Sequence, residues 1–250
     1  MNFKDHFSRL STAYSEYRPT YPPALFDYLA GLCAARGRAW DCACGNGQAT
    51  LPLARHFDSV IATDASAQQI AAAAPSEKVS YRVARADDSG LASESVDLVT
   101  VAQALHWFDL DSFYREVRRV LKPSGVLAVW TYGGLHLDDQ RTEDLIQEFY
   151  HDIVGPYWPP ERAIVENGYR DLAFPFTELR PPMFNMEADW ELDRLLGYLR
   201  TWSATSRYVD DRRIDPVIAL AERLAGPWGD PARVRKVTWP LAIRVGRRDG

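Results

Sequence analysis

The sequence predicts a doubly wound α/β domain, with parallel strands alternating with helices. Three observations carry that prediction. Short strand-like runs at 39–42, 59–63, 79–83, 96–102 and 126–131 alternate with segments of helical spacing, an order that implies parallel pairing through right-handed crossovers. The run Val96–Ala102 (VDLVTVA) is almost wholly apolar and β-branched, as suits a strand buried on both faces. A glycine-bearing turn, Cys44-Gly45-Asn46-Gly47, stands where the first strand meets its helix.

Taken in order, apolar residues at Phe3, Phe7, Leu10, Tyr14 and Tyr17 have helical spacing, which Arg18-Pro19 ends. A helix is expected over Pro23–Ala35, its proline tolerated in the first turn. Ala39–Cys42 is a short buried strand, then a helix is expected from about Gln48 to His56. Ser59–Thr63 is a strand, Ala67–Ala74 a helix stopped by Pro75, and Val79–Val83 the third strand. After strand four at Val96–Ala102, helical periodicity returns over Asp111–Leu121. Lys122-Pro123-Ser124-Gly125 is a turn, and Val126–Thr131 is strand five.

Beyond Tyr132 the pattern changes. Residues 138–172 are expected to be helical with interruptions at Pro156, Pro159 and Pro160. Thr177–Met186 is a strand broken by Pro181-Pro182, and helices follow at 189–203 and 215–225. Arg235–Val245 closes the sheet, with Pro240 placing it near an edge or bulge. Five of the eight tryptophans lie beyond residue 150, which fits either a core or a cap over a pocket.

The chain has 250 residues, 46% hydrophobic and 25% charged, enough for one large domain with an insertion. Its net charge of −5 argues against a protein whose main partner is a phosphate backbone. The N-terminal stretch has scattered charges and no apolar core, so no secretory signal is expected. No run approaches the roughly 18 apolar residues of a membrane span. Three cysteines, Cys33, Cys42 and Cys44, form no even framework, so a reducing, cytoplasmic setting is expected. Alternate residues on a strand point to opposite faces, and no nearby histidine completes a zinc-like set with Cys42 and Cys44, so no metal is expected.

The glycine turn lets backbone N–H groups approach a ligand without side-chain obstruction. Twenty-three positions after Asp41 stands Asp64, at the end of the second strand. Its two acceptor oxygens match the two ribose hydroxyls of an adenosine. A nicotinamide site would place Gly-x-Gly-x-x-Gly against a pyrophosphate. Here the third glycine position holds Thr50, and the acid Asp41 precedes the turn. A carboxylate there suits an adenosine joined to a cationic sulfonium amino acid and opposes a diphosphate.

Trp40-Asp41-Cys42-Ala43-Cys44-Gly45-Asn46-Gly47 resembles motif I of the class I S-adenosylmethionine methyltransferases. The resemblance continues through Thr63-Asp64-Ala65-Ser66, Arg85-Ala86-Asp87-Asp88, Ser95-Val96-Asp97-Leu98-Val99 and Val120–Leu127. Finer features look like the trans-aconitate methyltransferase-like branch: Tyr14-x-x-Tyr17-Arg18-Pro19-x-Tyr21-Pro22, Ala102–Phe108 and Leu199–Ala204. The resemblance implies a Rossmann-like sheet of seven strands, the last antiparallel, with an aromatic-rich C-terminal helical cap. It implies one domain over 1–250: N-terminal helices over the site at 1–37, a donor-binding core at 38–132, and a cap insertion with closing strands at 133–250.

By resemblance, S-adenosyl-L-methionine is the cofactor. Asp41, Ala43, Gly45 and Gly47 cradle its methionine part, Asp64 and Ala65 hold the ribose, Ala86 and Asp87 read the adenine, and Ala102 with Gln103 closes the site. Two positions depart from the pattern: Ala43 replaces a glycine, tolerable if its φ is negative, and Arg85 stands where many relatives carry an acid. Tyr14 and Arg18 are expected on a segment folding over the site, Arg18 pairing with a carboxylate or serving as a hinge before proline. His106 follows strand four and is either a base or a loop-fixing residue; Tyr14 and Tyr132 are the other catalytic candidates. Trp107, Arg200 and Trp202 are candidates for substrate contact, Trp202 being equally a core residue. The expected acceptor is a small molecule, some relatives acting on carboxylic acids, with neither nucleic acid nor membrane as partner. A non-catalytic ligand binder on the same fold is the alternative.

Overall fold

The computed structural model describes residues 18–249. The expected first helix and Tyr14 lie outside these. The first helix described, α1, is Pro23–Leu32, with Leu25, Phe26, Leu29 and Ala30 buried. β1 (Arg38–Cys42), β2 (Ser59–Asp64), β3 (Val79–Val83) and β4 (Val96–Ala102) follow, separated by the short helices α2 (Thr50–Leu53) and α3 (Ala67–Ala71). α2 and α3 are both shorter than their patterns predict: Pro52 withholds an amide from α2, and α3 buries no residue. α4 (Leu110–Val120) is capped by Asp109, which accepts the Ser112 amide, and buries Phe113, Tyr114, Val117 and Val120.

β5 spans Leu121–Tyr132 and absorbs the expected Lys122–Gly125 turn as an irregularity. The register against β4 jumps from Val96–Leu121 to Leu98–Val126, and Ser124 takes φ +63°. β6 (His136–Leu137) and α5 (Gln140–Glu148) come next, then a π turn (Phe149–Ile153), a 3-10 turn (Gly155–Tyr157) and α6 (Arg162–Glu166). The breaks fall where Pro156, Pro159 and Pro160 predict. β7 (Thr177–Leu179) and β8 (Phe184–Trp190) flank the Pro181-Pro182 break. α7 (Leu192–Arg200), α8 (Ser203–Arg212), α9 (Pro216–Trp228) and β9 (Arg235–Arg247) complete the described chain.

The strands form one nine-stranded sheet, ordered β3-β2-β1-β4-β5-β9-β6, with β7 and β8 also pairing β9. The expected antiparallel final strand is present; the sheet is wider than the seven strands implied, because β9 pairs with β5, β6, β7 and β8, antiparallel to each. Pro240 sits where β9 changes neighbour from β6 to β5, the kind of gap that tolerates a missing amide. The strand order reverses between β1 and β4, so the crevice that such folds use for ligands opens beyond Cys42 and Ala102. One apolar core packs α1 and the C-terminal helices against the sheet, and the other packs α4 against Trp40, Val99 and Leu127. Among the described residues no helix is long and apolar enough to cross a membrane.

Candidate functional site

The turn after β1 is built on three left-handed residues: Ala43 at φ +54°, Gly45 at +55° and Gly47 at +93°. A Cβ on Gly47 would stand 2.6 Å from the Tyr81 hydroxyl oxygen, so any larger residue would have to displace that phenol as well as bear the positive φ. Ala43 does not meet the condition of a negative φ; it holds a conformation costing an L-residue about 1–2 kcal/mol.

Asp64 fastens this turn to the end of β2. Its Oδ2 accepts the Gly45 amide at 2.9 Å and its Oδ1 the Ser66 amide at 2.8 Å. The Cys44 amide bonds the Thr63 carbonyl at 2.9 Å, and Gln48 Nε2 donates to the Pro19 carbonyl. The segment ahead of α1 is thus tied to the turn.

Asp41 is fully buried. Thr50 Oγ1 donates to its Oδ2 at 2.6 Å and Thr100 Oγ1 to its Oδ1 at 2.9 Å. It braces the turn from within instead of opening onto the crevice, and its influence on a ligand is through space. Burial pushes its pKa up to about 6, helped by the charge of Asp64 and opposed by the two threonine hydroxyls. Thr50, which breaks the glycine fingerprint, is therefore a structural partner of the acid. Thr100, the one hydroxyl in the apolar β4 run, was the legible signal for it.

After β3, Asp87 grips Arg85 at 2.8 and 2.9 Å. That guanidinium holds the Asp87 carboxyl below the usual range. The acid expected to read an adenine and the cation that departs from the pattern are one ion pair. Ala86 packs against the second core. Ser89 donates to the buried Glu116 of α4 through its amide at 3.0 Å, fixing this loop from below.

At the end of β4, half-buried Ala102 leads into Gln103 at φ +56°. Gln103 Nε2 donates to the Tyr132 carbonyl at 3.0 Å, and its Oε1 accepts the Thr131 hydroxyl at 2.5 Å. The 3-10 turn Leu105–Trp107 then presents His106, whose ring lies 4.7 Å from that of Trp107. His106 Nδ1 meets the hydroxyl of buried Tyr169 at 2.9 Å. Burial, reinforced by the charge of Arg162 and opposed by Glu161, pulls the His106 pKa down to about 4, so its imidazole is neutral at neutral pH.

Tyr132 is buried at the end of β5 and lies within electrostatic range of Tyr21 and Tyr198, as does half-buried Arg18. Trp202 packs among Phe149, Tyr150, Trp158 and Tyr198, ring centroids 5.4–6.1 Å away. Arg200 is set apart from these: it pairs with Asp215 at 2.8 Å, the residue that caps α9. Residues 18–249 thus bring together Ala43, Gly45, Gly47, Asp64, Ala65, Ala102 and Gln103 at the strand ends, with His106 and Tyr132 beside them. Tyr169 and Arg162 gave no sequence signal, since their segment has no clear period.

The Methyltransferase domain family matches residues 40–129. A Dictyostelium discoideum protein named as a methyltransferase is 33% identical over 99% of this chain and 96% of its own length. The chain belongs to the class I S-adenosylmethionine-dependent methyltransferases. A solved structure from Anaeromyxobacter dehalogenans, named as a type II methyltransferase, has a TM-score of 0.88 at 47% identity, covering 92% of this chain and 97% of that one. Yeast CRG1, named as an S-adenosylmethionine-dependent methyltransferase, is 30% identical over 49% of this chain and 45% of its own length.

The residues present fit the methyl donor of this methyltransferase. The turn from Asp41 to Thr50 contains no lysine or arginine to meet a diphosphate, the Gly47 cradle has no room for a Cβ, and the acid Asp64 stands at the strand end. When bound, the donor supplies a methyl group already activated by positive sulfur. What the protein adds is alignment and exclusion of water, and alignment alone can be worth about 7–11 kcal/mol of barrier.

Proposed function

We propose that this methyltransferase acts on a small-molecule acceptor held between the strand ends of residues 38–132 and the aromatic cap of residues 133–250. The observation that carries the reading is the His106–Tyr169 contact at 2.9 Å, which joins the loop after β4 to the cap directly beside the crevice. Ala43, Gly45 and Gly47 cradle the methionine part of the donor, Asp64 and Ala65 the ribose, and Ala86 with Asp87 the adenine edge. Ala102 and Gln103 close that site, and Arg18 offers a cation to a carboxylate. His106, Trp107, Tyr132 and Trp202 surround the acceptor; Arg200 is left to its ion pair with Asp215. The chain's acidic balance supports a small molecule over a nucleic acid, and its cysteine usage a cytoplasmic setting.

Incubation of the protein with labelled donor and metabolite fractions, with carboxylic acids, alcohols, phenols and amines tested side by side, identifies the acceptor. Transfer to a small molecule supports the proposal. Transfer only to RNA, DNA or protein overturns it.

A further inference from the structure

Several polar atoms carried by the cap's aromatic rings are spent within the protein. Trp239 Nε1 donates to the Tyr198 hydroxyl at 3.1 Å, Trp158 Nε1 to the Tyr150 carbonyl at 3.3 Å, and the Tyr150 hydroxyl to Glu166 at 2.5 Å. Tyr132 differs. It is only 5% exposed, and its carbonyl accepts from Gln103, but among the described residues nothing hydrogen-bonds its hydroxyl. A buried hydroxyl without a partner is costly, and in a native structure it calls for an explanation. Two residues earlier, Trp130 Nε1 also has no partner, but that atom is enclosed, with the rings of Tyr21 and Phe26 set edge-on to the indole at 5.5 and 6.4 Å. The Tyr132 hydroxyl is not enclosed in this way.

Strand register fixes where that hydroxyl stands. β4 ends at Ala102, opposite Trp130, so Tyr132 overhangs β4 by two residues at the strand ends that border the crevice. Side chains two apart on a strand share a face, and Val126, Ala128, Trp130 and Tyr132 all lie in the core packed by α1 and the C-terminal helices. The backbone of Tyr132 is held on both sides, by Gln103 Nε2 at 3.0 Å and by pairing with Leu241 of β9. Tyr21 and Tyr198 lie within electrostatic range of the phenol. The hydroxyl is thus a fixed polar point on a wall that is otherwise aromatic, the kind of isolated polar group that orients a ligand in an apolar pocket.

We propose that Tyr132 is a specificity-determining residue whose hydroxyl hydrogen-bonds an oxygen or nitrogen of the acceptor, selecting molecules with an apolar body that carries such an atom. This rests on the small-molecule reading of the same site and deepens it. The apolar body lies against the aromatic wall, and the heteroatom takes up the hydroxyl that the protein leaves unspent. The phenol orients the acceptor and exchanges no proton with it during transfer. Because the protein makes no use of this hydroxyl in its own packing, losing it should cost recognition without costing stability.

The test is Tyr132→Phe, which keeps the ring and removes only the hydroxyl. With the protein saturated with S-adenosylhomocysteine, binding of phenol, benzyl alcohol, aniline and toluene is measured by ligand-observed NMR titration. At least one of the first three is expected to bind the wild type and to bind Tyr132→Phe about tenfold more weakly, while toluene, which has no polar atom, binds both alike. The Tm of Tyr132→Phe is expected to equal that of the wild type. Tyr198→Phe, which strips buried Trp239 of its partner, is expected to lower Tm and gives the contrast. Equal binding of every probe to wild type and Tyr132→Phe, no binding of any of the three polar probes to the wild type, or a fall in Tm matching that of Tyr198→Phe overturns the proposal. Failure of the wild type to bind S-adenosylhomocysteine, or methyl transfer only to a macromolecule, would instead count against the function reading, so the two failures are separable.

Discussion

The carboxylate of Asp64 and the backbone amide of Gly45 meet at 2.9 Å, joining the end of β2 to the turn after β1. The same side chain that is proposed to receive the ribose hydroxyls therefore also sets the height of the glycine turn.

Asp64→Ala should weaken donor binding by about 2 kcal/mol, roughly thirtyfold, from hydrogen bonds lost to a charged acceptor. Asp64→Asn should lose less, because one oxygen still accepts an amide. Calorimetry with S-adenosylmethionine measures both, and a folded Asp64→Ala protein with wild-type affinity would refute the assignment.

At Ala43 the expected change is a gain. Glycine relieves the left-handed penalty of about 1–2 kcal/mol against about 0.5–1 kcal/mol of extra chain entropy. Urea denaturation of Ala43→Gly should show a raised midpoint with unchanged slope. A lowered midpoint would mean that the methyl packs usefully against the second core.

Gly47→Ala forces a Cβ onto the Tyr81 hydroxyl and should cost about 1–3 kcal/mol. Tyr81→Phe removes that oxygen, so the double variant should recover part of the loss, with the cost of the positive φ remaining. Strict additivity of the two changes would show that the contact is not responsible.

Two buried groups should pull stability in opposite directions with pH. Asp41 has a folded pKa near 6, above its unfolded value, so its contribution is present below about pH 4 and lost as pH rises through 6. His106 has a folded pKa near 4, below its unfolded value, so stability is lost as pH falls from about 6.5 toward 4. Between pH 4 and 6 the wild type should therefore lose on the order of 2 kcal/mol relative to Asp41→Asn as pH rises, while gaining relative to His106→Gln. Flat differences across that window would mean that neither group is shifted.

The parts of this fold that could be read from residues were those governed by local pattern. β3 and β4 fall on their expected spans because Val79–Val83 alternates apolar and polar residues and Val96–Ala102 is a nearly continuous apolar run. α8 was missed because Ser203–Arg212 is polar and buries only Ala204 and Thr205, leaving no helical stripe. β6, two residues long, exists because β9 offers an edge to pair with, which is information held far away in the chain. The site divides in the same way. Asp64 and the glycines announce themselves by spacing, whereas the Tyr169 hydroxyl reaches His106 across 63 positions of chain and arises only when distant segments meet; the Arg85–Asp87 pair is local but depends on the bend of its loop.

Because β9 lies between β5 and both β7 and β8, the parallel half of the sheet keeps an unpaired edge until a much later stretch of chain arrives; Val126, for instance, waits for Arg247. Pairing over such separations is slow, and an open edge invites neighbouring chains. During synthesis this protein should thus depend on chaperones or low crowding for a sizeable interval, and changes within Arg235–Arg247 should reduce yield of soluble protein more than their distance from the crevice would suggest.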